Sequence, residues 1–311
     1  MEAVYAYARA RGNHDATGSM GAGEGLVLIS GRARLAAVIG DPIAHSLSPR
    51  LHGYWLERYG IDGAYIPLRV RVEDLAEVFR LLPKLGFRGW NVTLPHKEAA
   101  VALVDEVDPA ARRIGAVNTV LVGEDGRLSG RNTDGFGFLA NLRAGVPGLE
   151  LGLGPAVVLG AGGAARAVAS ALCEAGCRDL RIVNRTETRA RTLATWLQQQ
   201  FPATVTTWPW SARRRALAEA LLCVNCTSLG MKGQGPLDLS LDLLPREAAV
   251  VDIVYVPLET ALLREARERG HPVVDGLGML LWQAVPGFRH WGGIEPEIDE
   301  RVRNCLLQAL S

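Results

Sequence analysis

The hydropathy pattern of this 311-residue chain becomes regular at Arg34 and alternates from there between two periods. Residues 35–39 form a continuous apolar run of strand length, and 49–59 carry apolar positions at helical spacing. Residues 64–70 are extended and 72–85 return to the helical period. A strand is then predicted at 90–93, a helix at 97–107, and a strand at 116–122 that ends on the turn residues Glu124, Asp125 and Gly126. This first half can close an α/β sheet of its own.

A Gly- and Pro-rich stretch, 145–155, separates it from a second and cleaner series. Strands are predicted at 156–159, 180–183, 204–207, 222–225, 250–253 and 273–274, separated mostly by helical segments. That order specifies a doubly wound parallel sheet. Helical segments at 280–291 and 298–310 close the chain, and periodicity leaves open which half they pack against.

The expected fold is therefore α/β, with an N-terminal α/β domain, a Rossmann-like doubly wound parallel-sheet domain and an interdomain cleft as the natural place for a site. The length, beyond the roughly 100 to 200 residues usual for one domain, agrees with two. The expected divisions are an extension over 1–32, an N-terminal α/β domain over 33–145, a Rossmann-like domain over 146–279 and C-terminal helices over 280–311. The extension mixes Gly, Ala and scattered charge without the apolar run of a signal peptide, and is expected to be mobile. Met20 is a candidate translation start within it, and the mass of the native protein decides that point.

With 48% hydrophobic and 22% charged residues the composition is that of an ordinary globular protein, neither disordered nor fibrous. A net charge of +1, with no like-charge block longer than Arg213, Arg214 and Arg215, argues against a nucleic-acid partner. The longest apolar stretch, 156–177, is interrupted by Arg166 and Glu174, which argues against a membrane span. Five cysteines, an odd number, read as free thiols in a reducing compartment, and a cytoplasmic location follows. Cys223 and Cys226 have CxxC spacing, but strand alternation over 221–227 would send their side chains to opposite faces.

The candidate chemistry starts at Gly160-Ala161-Gly162-Gly163-Ala164-Ala165, a GxGxxA turn directly after a predicted strand and before a helical run. The first glycine permits the tight turn, and the second lets backbone approach a pyrophosphate. Ala165 keeps helix and sheet close, and the helix N-terminus offers unpaired N–H groups to the anion. At the end of the next strand, where an acidic residue would accept the ribose 2′-hydroxyl of NAD, the chain reads Asn184-Arg185-Thr186. Arg185 and Arg189, four residues apart, can face one phosphate, so NADP is the expected cofactor.

Hydride exchange with a carbonyl needs a group that moves a proton. The loop Asn91-Val92-Thr93-Leu94-Pro95-His96-Lys97 presents Lys97 at a sheet edge, and Asn132-Thr133-Asp134 offers a carboxylate. The two can equally be a structural ion pair, and composition does not choose. His96 and His45 are rival acid–base groups that also read as satisfied loop histidines. A zinc site on His45 and His52 lacks a third ligand at a recognisable spacing.

These pieces together resemble the shikimate dehydrogenase family. The likeness is carried by Gly40-Asp41-Pro42-Ile43-Ala44-His45-Ser46-Leu47-Ser48-Pro49, by the Asn91 to Lys97 loop, by Gly115-Ala116-Val117-Asn118-Thr119 and by Asn132-Thr133-Asp134. It continues through the Gly-rich turn, Asn184-Arg185-Thr186, Asn225-Cys226-Thr227-Ser228-Leu229-Gly230-Met231, Asp252-Ile253-Val254-Tyr255-Val256-Pro257 and Asp275-Gly276-Leu277-Gly278-Met279, followed by Gln283. It leaves only the N-terminal extension unmatched.

The resemblance implies reversible NADPH-dependent reduction of 3-dehydroshikimate to shikimate, on the way to chorismate and the aromatic amino acids. It implies Lys97 as the acid–base residue partnered by Asp134, with Ser46, Ser48 and Tyr255 on the substrate carboxylate. Thr93 would line the pocket, and Asn118, Asp134 and Gln283 would hold ring hydroxyls. It places NADP on Gly160, Ala161, Gly162, Gly163, Ala164, Asn184, Arg185, Thr186, Arg189, Ile253 and Gly276, with no metal. It also sends the last helix back against the first domain. The expected partner is the small-molecule substrate alone, in a monomer or homodimer.

Gly53 and Asp41 stand where the family often has asparagine, and neither removes a donor assigned above. Cys226 and Trp282 are bulkier than the family's frequent small residues and are expected to reshape the nicotinamide end or the substrate pocket. A quinate/shikimate dehydrogenase with relaxed substrate or NAD use is the nearest alternative. A non-catalytic NADP-binding regulatory module is the alternative of another class, and intact Lys97 and Asp134 argue against it.

Overall fold

A computed structural model of the protein describes residues 29–310, so most of the N-terminal extension, and the candidate start at Met20, lie outside the described residues. The end of the extension is tied down: the Ser30 backbone N–H donates to Asp62 at 3.0 Å, and the Ser30 hydroxyl reaches the same carboxylate.

In the first sheet, β1 (Arg34–Gly40), β2 (Gly63–Arg69) and β3 (Phe87–Val92) are parallel in the order β2-β1-β3. The sheet continues through β5 (Thr119–Val122), β6 (Leu128–Arg131) and β4 (Glu106–Val107), with β5 antiparallel to both its neighbours. Both faces are covered, which is why β1 reads as an unbroken apolar run. Ala37, Ile39, Trp90 and Val92 pack with Leu75 and Phe79 of α2 (Leu75–Leu81). Ala36, Val38 and Tyr65 pack with α1 (Ser48–Arg58) and with α8 (Gly276–Gly292) and α9 (Glu300–Leu307). Leu281, Phe288 and Trp291 of α8 and Val302 and Leu306 of α9 are buried there, so both C-terminal helices return to the first sheet.

The second sheet is parallel throughout, in the order β12-β11-β10-β7-β8-β9. Its strands are β7 (Ala156–Leu159), β8 (Asp179–Asn184), β9 (Thr204–Pro209), β10 (Leu222–Asn225), β11 (Ala249–Asp252) and β12 (Val273–Val274), the six the sequence predicts. The winding direction reverses between β7 and β10, and ligands of such sheets bind outside the carboxyl ends of the strands at that point. α5 (Gly163–Glu174) and α6 (Glu187–Gln200) cover one face and α7 (Ala261–Glu268) the other.

Three local expectations are corrected. The helix expected over 97–107 does not form: a turn leads into a 3-10 segment, Ala99–Leu103, and then β4. The Asp105 N–H donates to the Leu128 carbonyl at 2.9 Å and Glu106 and Val107 pair with Ser129 and Gly130, so that stretch completes a sheet edge instead of its own helical ladder. Over 72–85 only α2 is α-helical, flanked by the 3-10 turns Val72–Asp74 and Pro83–Leu85, the second begun by a proline that cannot donate in a helix. The strand expected at 116–122 begins only at Thr119, because Val117 instead donates its N–H to the Lys97 carbonyl at 2.8 Å.

Two helices are additional. α3 (Pro109–Ile114) is capped by the Asp108 carboxylate on the Ala111 N–H, as its Asp-Pro start favours. α4 (Asp134–Gly145) leaves the first sheet and buries Phe138 and Leu142 in the core under the second. It crosses α8 closely, with Gly137 against Gln283 and Gly278 against Asn141. The two helices therefore join the two sheets behind the cleft.

Candidate active site

The carboxyl ends of β1, β3 and β11 and the start of β5 open on one cleft, and the loops that leave them wall a cavity of about 210 Å³. All eight residues that the resemblance implies for substrate, Ser46, Ser48, Thr93, Lys97, Asn118, Asp134, Tyr255 and Gln283, line it. They come from six separate segments of the chain. The backbone stitches those segments together: Thr93 N–H donates to the Ile39 carbonyl at 2.9 Å, and Val92 N–H to the Asn118 carbonyl at 2.8 Å.

Lys97 Nζ donates to Asp134 Oδ2 at 2.6 Å, and the other carboxylate oxygen accepts from Asn118 Nδ2 at 2.8 Å. The Asn118 amide is itself fixed, because its Oδ1 accepts the Thr133 N–H at 2.9 Å. Asp134 is the first residue of α4, where the helix dipole favours a negative charge. The side chains of Lys97 and Asp134 keep 27% and 12% of their accessible surface, and both residues line the cavity. The pair is thus an ammonium group and a carboxylate in contact, both open to a small ligand.

The rival groups are placed elsewhere or differently. His96 is buried with Nε2 2.7 Å from the Val70 carbonyl, out of the cavity. His52 is enclosed by Trp55, Tyr65, Phe288 and Trp291, and burial pushes its imidazole down to about 3, so it stays neutral. It does not share a site with His45, which is exposed at the cavity wall. Among the described residues no group of three or more His, Cys, Asp or Glu side chains is arranged to hold a metal.

At the Gly-rich turn, Gly160 has φ +112°, and a Cβ there would come within 3.1 Å of the Cys226 carbonyl at the end of β10. Only glycine suits that position. Gly162 caps α5 without a side-chain hydrogen bond, so the first N–H groups of the helix point out unpaired. Beside them lies a second cavity of about 490 Å³, walled by Ala161, Gly162, Gly163, Arg166, Thr188 and Arg189 among others. Ala164 follows in the first turn of α5.

Asn184, Arg185 and Thr186 lie on the turn between β8 and α6, where Asn184 Nδ2 donates to the Thr186 carbonyl at 2.7 Å. Arg185 thus precedes the helix while Arg189 sits in its first turn. Neither guanidinium has a hydrogen-bond or ion-pair partner among the described residues, whereas Arg191 on the same helix is paired to Glu187 at 2.7 Å. Free N-terminal amides, a glycine that cannot carry a Cβ and two uncommitted arginines fit a dinucleotide with an extra phosphate. Ile253 and Gly276 lie at the first cavity, where their backbones touch.

Asp252, at the end of β11, organises this end of the cleft. It accepts from Asn225 Nδ2 at 2.9 Å, Val254 N–H at 3.0 Å and Thr260 Oγ1 at 2.7 Å, joining the loops that carry Thr227 and Tyr255. Burial nevertheless pushes its carboxyl up to about 6. Cys226 and Trp282, expected to reshape the pocket, do not line either cavity. Cys226 packs against the α5 face of the second sheet and Trp282 against the first sheet's helices. Cys223 packs on the opposite face from Cys226, as strand alternation requires, and all five cysteines are free.

Sequence reasoning passed over Asn91, Met279 and Leu280 as site residues; they line the first cavity, as does His45, which it weighed as a rival acid–base group. Asn91 was within reach, because it lies two residues before Thr93 on an extended segment and so on the same side. Met279 and Leu280 likewise lie one helical turn before Gln283.

Comparison with known proteins bears on this arrangement. A family model described as the shikimate dehydrogenase substrate binding domain matches residues 38–120, and one described as shikimate / quinate 5-dehydrogenase matches residues 150–228. The chain is 56% identical over 279 residues to shikimate dehydrogenase (NADP(+)) of Paramagnetospirillum magneticum, covering 90% of this chain and 100% of that one. The crystal structure of shikimate 5-dehydrogenase from Thermus thermophilus in complex with NADP(H) and shikimate is 45% identical, with a TM-score of 0.76 over 88% of this chain and 99% of that one. Quinate dehydrogenase from Corynebacterium glutamicum in complex with NAD is 32% identical, with a TM-score of 0.83 over 89% of this chain and 99% of that one.

Proposed function

The chain belongs to the shikimate dehydrogenase family, and from that premise we infer that it is an NADP-dependent oxidoreductase that reversibly reduces 3-dehydroshikimate to shikimate, a step of aromatic precursor synthesis. One observation carries the reading furthest: eight polar side chains from six segments converge on a single cleft cavity in which Lys97 meets Asp134.

The roles follow from the chemistry of the donors. Ser46, Ser48 and Tyr255 offer hydroxyls to the substrate carboxylate, while Asn118, Asp134 and Gln283 suit ring hydroxyls and Thr93 lines the wall between. The cofactor pyrophosphate belongs on the N-terminus of α5 and the 2′-phosphate on Arg185 and Arg189. Bound NADPH supplies the hydride for the carbonyl carbon. Lys97 gives its proton to the carbonyl oxygen as that oxygen gains charge, and takes one from the hydroxyl in the reverse direction. Asp134 holds the ammonium group toward that oxygen, and Asn118 holds Asp134.

We assign 33–145 to the substrate lobe, 146–279 to the cofactor lobe and 280–311 to the helices that return to the first lobe. No helix among the described residues is long and apolar enough to cross a membrane. The reading places the enzyme in the cytoplasm as a monomer or homodimer, which light scattering on the purified protein would decide.

The test is an absorbance assay in which shikimate and quinate are crossed with NADP and NAD. Reduction of NADP with shikimate is expected. Efficient use of quinate or NAD moves the enzyme to the broader quinate/shikimate branch, and silence in every combination overturns the catalytic reading.

A further inference from the structure

Arg166 is the charged residue of the Gly-rich segment, and its guanidinium is uncommitted. It sits near the start of α5, where its Cζ lies over the Trp196 ring of α6 at 4.4 Å from the centroid. A Cβ on Gly115, in the first lobe, would come 3.6 Å from its Nη1. Its Nε is buried without a hydrogen-bond partner, and among the described residues no carboxylate forms an ion pair with it. Burial pushes the guanidinium down from its ordinary value, and the Glu98 carboxylate opposes that from beyond ion-pair distance. Arg166 and Glu98 wall the same cavity as Gly162, Gly163 and Arg189.

A cation that has lost part of its water and gained no counterion is held at a cost that a bound anion would offset. The contact with Trp196 steadies the guanidinium through its face and leaves N–H groups on its edge for a phosphate. The free amides at the start of α5 offer a pyrophosphate only about half a positive charge, well short of the charge on its two phosphates. Arg185 and Arg189 belong to the turn after β8 and the first turn of α6, and are already assigned to the 2′-phosphate. The cation missing from the pyrophosphate end is the one that Arg166 supplies.

We propose that Arg166 is a further cofactor-binding residue, whose guanidinium pairs with the pyrophosphate that NADP and NAD share. Glu98, which walls the same cavity from the first lobe, repels that anion. The two kinds of arginine then divide the work: Arg166 sets the affinity for either dinucleotide, and Arg185 with Arg189 sets the choice between them. This inference rests on the placement of the dinucleotide at the Gly-rich turn.

Arg166→Met keeps an unbranched chain on the Trp196 ring and removes the charge. The quantities to measure are the Kd values of NADPH and NADH, by fluorescence titration without substrate. Both are expected to rise by the same factor, about 10- to 30-fold, the size of a hydrogen bond to a charged group. The salt dependence of NADH binding should become shallower than in the wild type, which the loss of a merely structural contact would not cause. Glu98→Gln breaks no hydrogen bond or ion pair of the described residues and is expected to tighten both dinucleotides by about 2- to 3-fold at low salt, which keeps the proposal testable if Arg166→Met fails to fold. A loss confined to NADPH would place Arg166 on the 2′-phosphate and overturn the proposal. Unchanged affinities in Arg166→Met with a lowered Tm, or no gain in Glu98→Gln, overturn it as well. A wild type that binds NADPH but is silent with shikimate would instead overturn the assigned reaction.

Discussion

Lys97 and Asp134, 37 residues apart, meet at 2.6 Å because two different elements end at the same edge of the cleft. Lys97 follows the loop from β3, and its own carbonyl is held by Val117, while Asp134 begins α4. A lysine held by its backbone on one side and a carboxylate on the other is positioned before a ligand arrives, which is what acid–base catalysis requires.

Lys97→Ala is therefore expected to lower turnover by roughly 10² to 10⁴ with dinucleotide affinity nearly unchanged, since none of its contacts reach the Gly-rich turn. Steady-state kinetics with fluorescence titration of NADPH checks both halves. Near-normal turnover would remove Lys97 from its role.

Arg185 and Arg189 carry charges with no partner among the described residues, and so lose no internal contact when replaced. Replacing both by alanine is expected to weaken NADP binding by about 2 to 3 kcal/mol, the scale of charge-assisted hydrogen bonds, and NAD binding by much less. Equal losses for the two cofactors would show that the pair does not meet the 2′-phosphate.

The second sheet was legible strand for strand because β7 and its partners are buried on both faces and read as plain apolar runs bounded by turns. The helix α4 was not. Its residues Gly135 and Gly137 are poor helix formers, and its buried Phe138 and Leu142 face a core built from the other half of the chain. The misread segment 97–107 shows the same limit, since its edge pairing with β6 is decided 23 residues downstream. The site residues were legible as types in motifs, whereas the orientation of Asn118 and the enclosure of His52 depend on packing that no local spacing encodes.

Asp252 gives the fold a pH dependence whose sign can be worked out. Its carboxyl, ordinarily near 4, is pushed up to about 6 by burial, so folding favours its protonated form. The stabilisation is fully present below about pH 4 and is lost as the pH rises through 6, a change of about 3 kcal/mol for two units. Asp252→Asn, which cannot ionise, is expected to flatten stability between pH 4 and 7 in urea unfolding. A variant with the wild-type slope would assign that dependence to another group.

Gly137 ties the helix that carries Asp134 to the helix that carries Gln283. A Cβ at Gly137 would lie 2.7 Å from Gln283 N and Cβ and 2.8 Å from the Met279 carbonyl, and two of those three atoms are backbone. A rotamer change cannot relieve that contact, so Gly137→Ala must part α4 from α8 by roughly 1 Å, at a cost of about 1 to 3 kcal/mol. The separation moves Gln283 away from Asp134 while β7, Gly160 and α5 keep their places. KM for shikimate is then expected to rise by about tenfold or more, because a displacement of that size is costly in a positioned site. The affinity for NADPH should stay within about twofold of wild type, since free N–H groups at a helix N-terminus do not depend on α8. A variant that loses stability but keeps its KM would show that the α4–α8 contact serves the fold alone, and that Gln283 does not hold the substrate.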